Sequence, residues 1–222
     1  MNKVITFSNI KGGTGKSLLC ALFAAYLKEN GFNVAILDAD IQLTVYRHRQ
    51  RELAELHQSD KGEVPSLPYE VVSLDTSNVE GVKAIMEGLS EFDGCVLVDC
   101  PGNIQDPALE FIFKRADIAV VPTHYNPDNL DATMLFIKAF RAVSQAPMVF
   151  IPNNVICTDE RRFELATARD HAKGMLEKYG YMTARIKHSV CAECYSTISP
   201  MNSYQRNLVK YAFQPIIDLI NK

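Results

Sequence analysis

The sequence contains no run of about 18 apolar residues, the length that a membrane-spanning helix requires, so a helical membrane protein is excluded. Nor does it carry a recognisable secretory leader. The apolar stretch at 1–7 is too short for one and runs directly into a glycine-rich loop, which leaves nothing to cleave. Positive charge is not in excess: 23 Lys and Arg stand against 26 Asp and Glu, a net charge of −3. Bulk charge therefore does not make a polyanion binder, and only a local basic patch could do so. The six cysteines, at 20, 95, 100, 157, 191 and 194, are scattered. Without an export signal they read as reduced thiols, and the expected compartment is the cytoplasm. No internal repeat, low-complexity tract or nucleophile–histidine pair is found, so acyl-transfer chemistry is not expected.

What is present is an alternation. Strand-length apolar runs fall at 3–8, 33–38, 69–74, 94–99, 117–121 and 147–152, with a weaker one at 181–187. They are nearly continuous in Val, Ile and Leu, as strands buried on both faces must be. Amphipathic stretches lie between and after them, at 16–30, 43–58, 79–91, 106–115, 128–145, 160–179 and 203–221. In the first of these, Leu18, Leu19, Leu22, Phe23 and Tyr26 recur at helical spacing and Gly31 offers a stop. Strands alternating with helices predict a three-layer α/β fold, a mainly parallel sheet of about seven strands with helices on both faces. The polar, proline-containing segment 59–68 reads as a surface loop, and the whole of 1–222 is expected to form one domain. With the first strand starting at residue 3, no separate DNA-reading domain is expected before it.

Between the first strand and first helix lies Lys11-Gly12-Gly13-Thr14-Gly15-Lys16-Ser17. A glycine-rich turn ending in Gly-Lys-Ser at this junction is the P-loop signature. Such a turn aims backbone N–H groups at one anion, and the helix N-terminus adds partial positive charge. The arrangement predicts a phosphate cradle of Gly12, Gly13, Thr14 and Gly15, extending to Leu18. Lys16 is expected to reach the β- and γ-phosphates of ATP, and the Ser17 hydroxyl to ligate Mg2+.

The lysine that opens this loop, Lys11, makes the sequence resemble the ParA/MinD family of deviant Walker A ATPases, whose loop reads KGGxGK(S/T). Two further motifs fall in that family's order. Leu37-Asp38-Ala39-Asp40-Ile41-Gln42 is similar to its DxDxQ, with Ile41 where Pro is common. Val96-Leu97-Val98-Asp99-Cys100-Pro101-Gly102 is similar to a Walker B strand leading into a switch loop. The resemblance implies that Lys11 crosses a homodimer interface to the partner's nucleotide, as an arginine finger does. It implies that Asp40 orients the attacking water, and that Asp38 and Asp99 hold magnesium directly or through water. It also implies that an Asn after the sixth strand reads adenine; of Asn153 and Asn154, Asn153 is the better placed by the strand end, although an Asn pair is also ordinary turn chemistry. The implied activity is ATP hydrolysis that is slow without a stimulating partner protein carried on a cargo. Among small plasmid-type members the implied role is DNA partition or conjugative transfer, with non-specific DNA bound by the ATP dimer.

Basic residues that would serve DNA cluster at Arg47–Arg51, at Arg161–Arg162, and in Arg185, Lys187, His188, Arg206 and Lys210. Each singly reads as a solvated charge, and a patch summed over two subunits is the stronger reading. Membrane- or pole-positioning relatives of the MinD type end in a basic amphipathic helix. Here the tail carries Asp218 and a single cation and is expected to be interrupted by Pro215, so core packing is the expected role and membrane binding is not. Cys191-Ala-Glu-Cys194 leaves open an iron–sulfur carrier of the Mrp type, although the pair falls one helix and one strand later than in such relatives. A metabolic ligase or kinase on the same scaffold is a further alternative. His124, just past the fifth strand, is a candidate interface residue, and Cys100 a buried filler.

Overall fold

A computed structural model describes residues 2–58, 66–156 and 162–222. Cys157, Arg161, most of the expected loop 59–68 and the start of the helix expected from 160 lie outside them. Seven strands are formed among the described residues: β1 (Asn2–Phe7), β2 (Val34–Asp38), β3 (Glu70–Ser73), β4 (Gly94–Asp99), β5 (Ile118–Thr123), β6 (Met148–Pro152) and β7 (Tyr181–Met182). The helices are α1 (Lys16–Glu29), α2 (Thr44–Gln58), α3 (Val79–Gly88), α4 (Ala108–Arg115), α5 (Pro127–Arg141), α6 (Phe163–Leu176), α7 (Val190–Glu193) and α8 (Ser203–Ile220). The strands form one sheet in the order β3-β2-β4-β1-β5-β6-β7, and every pairing is parallel.

Alternation along each strand builds two cores. Ile5, Phe7, Ile36, Leu97, Val120 and Ile151 face one side, where α1 and α8 cover them with Phe23, Leu27, Phe213 and Ile216. Val4, Leu37, Val96, Val98, Val121 and Phe150 face the other, against Val82, Ile112, Phe136 and Leu176 of α3 to α6. Because both faces are buried, the strands read as unbroken apolar runs.

Two expectations need correction. The seventh strand was expected over 181–187, but only Tyr181 and Met182 pair with β6. Beyond them the chain keeps contact through single bonds, Ile186 N to Pro152 O at 2.8 Å and Val155 N to Ile186 O at 3.1 Å, and through one bridge between Val155 and Lys187. Pro215 does not interrupt the last helix; α8 continues through it. The proline removes one N–H from the ladder, and the acceptor it would have served belongs to Tyr211, a residue that is 68% exposed. The expected packing of this helix is borne out, since Val209, Ala212, Phe213, Ile216, Ile217 and Ile220 are all buried in the core. Among the described residues no helix is long and apolar enough to cross a membrane.

Candidate nucleotide site

The sheet order sets β1 between β4 and β5, so the turn that leaves β1 emerges at the centre of the carboxyl edge. Register does the rest. Phe7 lies beside Asp99, and Asp99 beside Asp38, so the ends of β1, β4 and β2 form one row. Ala39 N bonds Asp99 O at 2.9 Å and Cys100 N bonds Phe7 O at 3.1 Å, which continues the row into the following loops. Two of the residues predicted from strand ends are thereby neighbours, although 61 positions separate them in the chain (99 less 38).

The glycine-rich turn folds as its sequence requires. Gly13 and Gly15 take φ of 75° and 90°, in the left-handed region where a side chain is strained. A Cβ at Gly15 would also stand 2.2 Å from Asn153 Nδ2. α1 starts directly from Gly15 with no side-chain cap, whereas Asn78, Asn126 and Asn202 cap α3, α5 and α8. The first N–H groups of α1 therefore open onto a cleft of about 330 Å3 lined by Gly12, Gly13, Lys16, Ser17, Asp40 and Gly102. Lys16 is 9% exposed. Its Nζ lies 3.8 Å from where a Cβ on Gly102 would sit, so the loop after β4 passes close to the lysine of the loop after β1.

Asp38 and Asp99 are completely buried. Asp38 Oδ2 accepts from Tyr46 N at 2.9 Å and Oδ1 from Asp40 N at 3.3 Å. Burial raises its carboxyl above the usual range, and the backbone N–H groups of Tyr46, Asp40 and Val45 offset this in part. Asp99 has less compensation than Asp38, since neither of its oxygens has a hydrogen bond of normal geometry. Burial pushes its carboxyl up to about 8; the Ser17 hydroxyl and Lys16 oppose the rise, while Asp38 and Asp40 add to it. A buried carboxylate without a partner is costly unless a cation meets it. Asp40 is only half buried, and its Oδ1 accepts from Gln42 N at 2.9 Å in a tight turn that ends at Leu43, φ 48°.

Lys11 is exposed at the mouth of the loop. Its backbone N–H donates to Asn9 Oδ1 at 3.5 Å, and Asn9 is itself held by Pro122 O at 2.8 Å and Thr133 Oγ1 at 3.0 Å. Asn153 is buried, and its Nδ2 donates to Thr14 O at 2.9 Å, across 139 positions of chain. The carbonyl partner assigns the nitrogen, leaving Oδ1 as the free acceptor of this amide. Next to the first cleft, and sharing Gly13, Gly15 and Leu18 with it, Leu22, Asn153, Ile186, Ala192 and Glu193 line a second cleft of about 150 Å3. Asn154 takes φ 57° and its Oδ1 meets His188 Nδ1 at 2.6 Å. His124 borders a separate hollow with Tyr125 and Asn126, beside Asn153.

The basic clusters divide into buried and exposed members. Arg49 is a correction to the reading of Arg47–Arg51 as an outward group. It is 2% exposed and gives Nε to Thr197 Oγ1 at 2.8 Å, Nη2 to Thr197 O at 2.7 Å and Nη1 to Tyr69 O at 2.9 Å. Spacing within a charged run gave no sign of this. Arg206 is exposed but bonded to Glu29 at 2.7 Å. Arg47, Arg51, Arg162, Arg185 and Lys187 are exposed. Cys100 is buried as expected.

The residues present fit a magnesium-bound nucleoside triphosphate. The uncapped start of α1 and Lys16 supply positive charge for phosphate, and the unpartnered Asp99 carboxylate beside Ser17 and Asp38 calls for a cation. An all-parallel sheet whose central strand ends in such a turn is the P-loop NTPase fold. The chain belongs to the CobQ/CobB/MinD/ParA nucleotide binding domain family, matched over residues 5–190.

Solved structures agree on the fold. A candidate plasmid partition protein of Borrelia burgdorferi B31, bound to AMPPNP, superposes with a TM-score of 0.73 at 16% identity, over 100% of this chain and 99% of that one. McdA of Cyanothece gives 0.74 at 15% identity over 98% and 99%. The cell division ATPase MinD of Pyrococcus furiosus gives 0.69 at 19% identity over 99% and 100%. A search of curated protein sequences finds no match.

Proposed function

We propose that residues 1–222 act as one ATP-hydrolysing domain and as an ATP-dependent dimerisation switch for DNA partition or conjugative transfer. The observation that carries this reading is the division between two lysines of one loop. Lys16 is buried in the phosphate cleft, while Lys11 is exposed at its mouth, where a second subunit would meet it.

In this reading Gly12, Gly13, Thr14, Gly15, Lys16, Ser17 and Leu18 cradle the phosphates. Ser17, Asp38 and Asp99 hold magnesium, which neutralises charge on the phosphate oxygens when bound. Asp40 aligns a water on the γ-phosphate, and Lys11 of each subunit stabilises the charge that develops in the other's site. Asn153, pinned to Thr14 through Nδ2, offers Oδ1 to the adenine amino group, so the base and phosphate ends are joined through one side chain. Gly102, which lines the same cleft as Lys16, couples loss of the γ-phosphate to the loop after β4. A cargo-bound partner accelerates a slow basal turnover, and the protein works in the cytoplasm, on the nucleoid when DNA is bound. The exposed Arg47, Arg162 and Lys187 are the candidate phosphate contacts for DNA. The likeness in fold to a partition protein supports the same role.

The deciding experiment is retention on non-specific duplex DNA with ATP, with ADP and without nucleotide. Retention with ATP alone, falling steeply as salt rises, is the expected result. Retention in none of the three states would remove DNA from the reading and leave the dimerisation switch.

A further inference from the structure

We infer that Cys191 and Cys194 form a reversible disulfide that weakens nucleotide binding by moving the wall of the cleft beside α1; this rests on the proposed role of Asn153, which lines that cleft, as the adenine contact. Among the described residues the other cysteines, Cys20, Cys95 and Cys100, are buried, and burial raises all three thiols, Cys95 to about 11 and Cys100 to about 12. Cys191 and Cys194 are both exposed.

Their spacing suits a bridge. Cys191 lies in the single turn α7 and Cys194 caps it, so their Cα atoms lie about 5 Å apart by helix geometry. That falls within the range disulfides span. The backbone around them is fixed from below. Gln205, 4% exposed, donates Nε2 to Cys191 O at 3.0 Å and to Cys194 O at 3.2 Å. The same side chain accepts from Asn202 N at 3.1 Å in the capping box of α8, which ties the turn to a core helix.

Closing the bridge is not silent. On a helix, side chains three apart hold their Cβ atoms about 5–6 Å apart, whereas a disulfide needs about 4 Å. With both carbonyls held by Gln205, the turn must tighten through the two residues between the cysteines. Those residues are Ala192 and Glu193, and both line the cleft with Leu18, Leu22 and Asn153. The oxidant required is a small disulfide of the glutathione class. One cysteine thiolate displaces a thiolate from it, giving a mixed disulfide, and the second cysteine displaces the other half. Two protein thiols and one RSSR thus become one protein disulfide and two RSH.

The test equilibrates the full chain in mixtures of reduced and oxidised glutathione, quenches with acid and alkylates free thiols. Cleavage after Lys187 and Arg206 releases both cysteines in one peptide. Binding of a fluorescent ATP analogue with magnesium is measured on the same samples. The expected result is an internal disulfide in that peptide, two mass units below the dithiol, with affinity lowered about tenfold and restored by dithiothreitol. Cys191→Ser and Cys194→Ser should each hold the reduced affinity throughout. Glutathione adducts or intermolecular bridges without the internal bond would overturn the inference, as would a disulfide that leaves affinity unchanged. Stoichiometric zinc or iron retained through both cysteines would overturn it in favour of a metal site. Failure of the reduced protein to bind nucleotide would instead overturn the proposed function, while the mass of the peptide still reports whether the bond forms.

Discussion

A carboxylate that is fully buried and has no hydrogen bond to either oxygen destabilises a protein whenever it is charged, and Asp99 is in that position. Its carboxyl is raised to about 8, against about 4 for an unfolded Asp. Between those values the folded chain keeps a proton that the unfolded chain has lost, so stability falls as pH rises through the window and levels off above it. Without magnesium or nucleotide, Asp99→Asn should therefore melt higher than the natural protein at pH 8, by on the order of 10 °C. The gap should close towards pH 4; parallel melting curves across that range would contradict the burial argument. This residue was legible in the sequence because an unbroken apolar run delivers an Asp to a strand end. Asp38 was legible for the same reason, and the glycines because few other turns use that spacing. The bond from Asn153 to Thr14 was not, since it joins loops 139 positions apart and leaves no local pattern.

At the scale of elements, α2 is clasped to the segment after α7. Arg49 bridges Tyr69 and Thr197, Glu52 Oε2 accepts from Thr197 N at 2.8 Å, and His48 stacks on Tyr195 with ring centroids 4.4 Å apart. The clasp joins the helix that follows Asp40 to the turn that borders the cleft beside α1. Arg49→Ala leaves buried acceptors unpaired and should cost about 3 kcal/mol. Urea unfolding would measure this, and a loss within about 0.5 kcal/mol would mean that the clasp contributes little. The element boundaries themselves were largely readable, because strand-length and helix-length apolar periods differ in kind. Two departures arose where tertiary packing overrides local signals. β7 stops after two residues although its sequence stays extended, and α8 runs through Pro215 because its apolar stripe on both sides is held by the core.

For the molecule as a whole, the proposed switch separates into two experiments. Lys11→Ala should keep ATP binding and lose ATP-dependent dimerisation, and dimers of unchanged strength in sedimentation would remove Lys11 from the interface. Asp40→Ala should have the opposite effect, keeping the ATP dimer while hydrolysis falls by at least about tenfold; undiminished turnover would remove Asp40 from the mechanism. The sheet order also bears on how the chain is made. β1 is synthesised first, yet both of its neighbours come much later, β4 at Gly94–Asp99 and β5 at Ile118–Thr123. β2 likewise waits for β3 and β4. A chain leaving the ribosome therefore carries its phosphate loop for more than a hundred residues before any strand can flank it on both sides, and β4 is the segment whose arrival lets two earlier strands pair at once. Until then nucleotide has no formed cradle to stabilise, so ligand can assist only the last stage of folding.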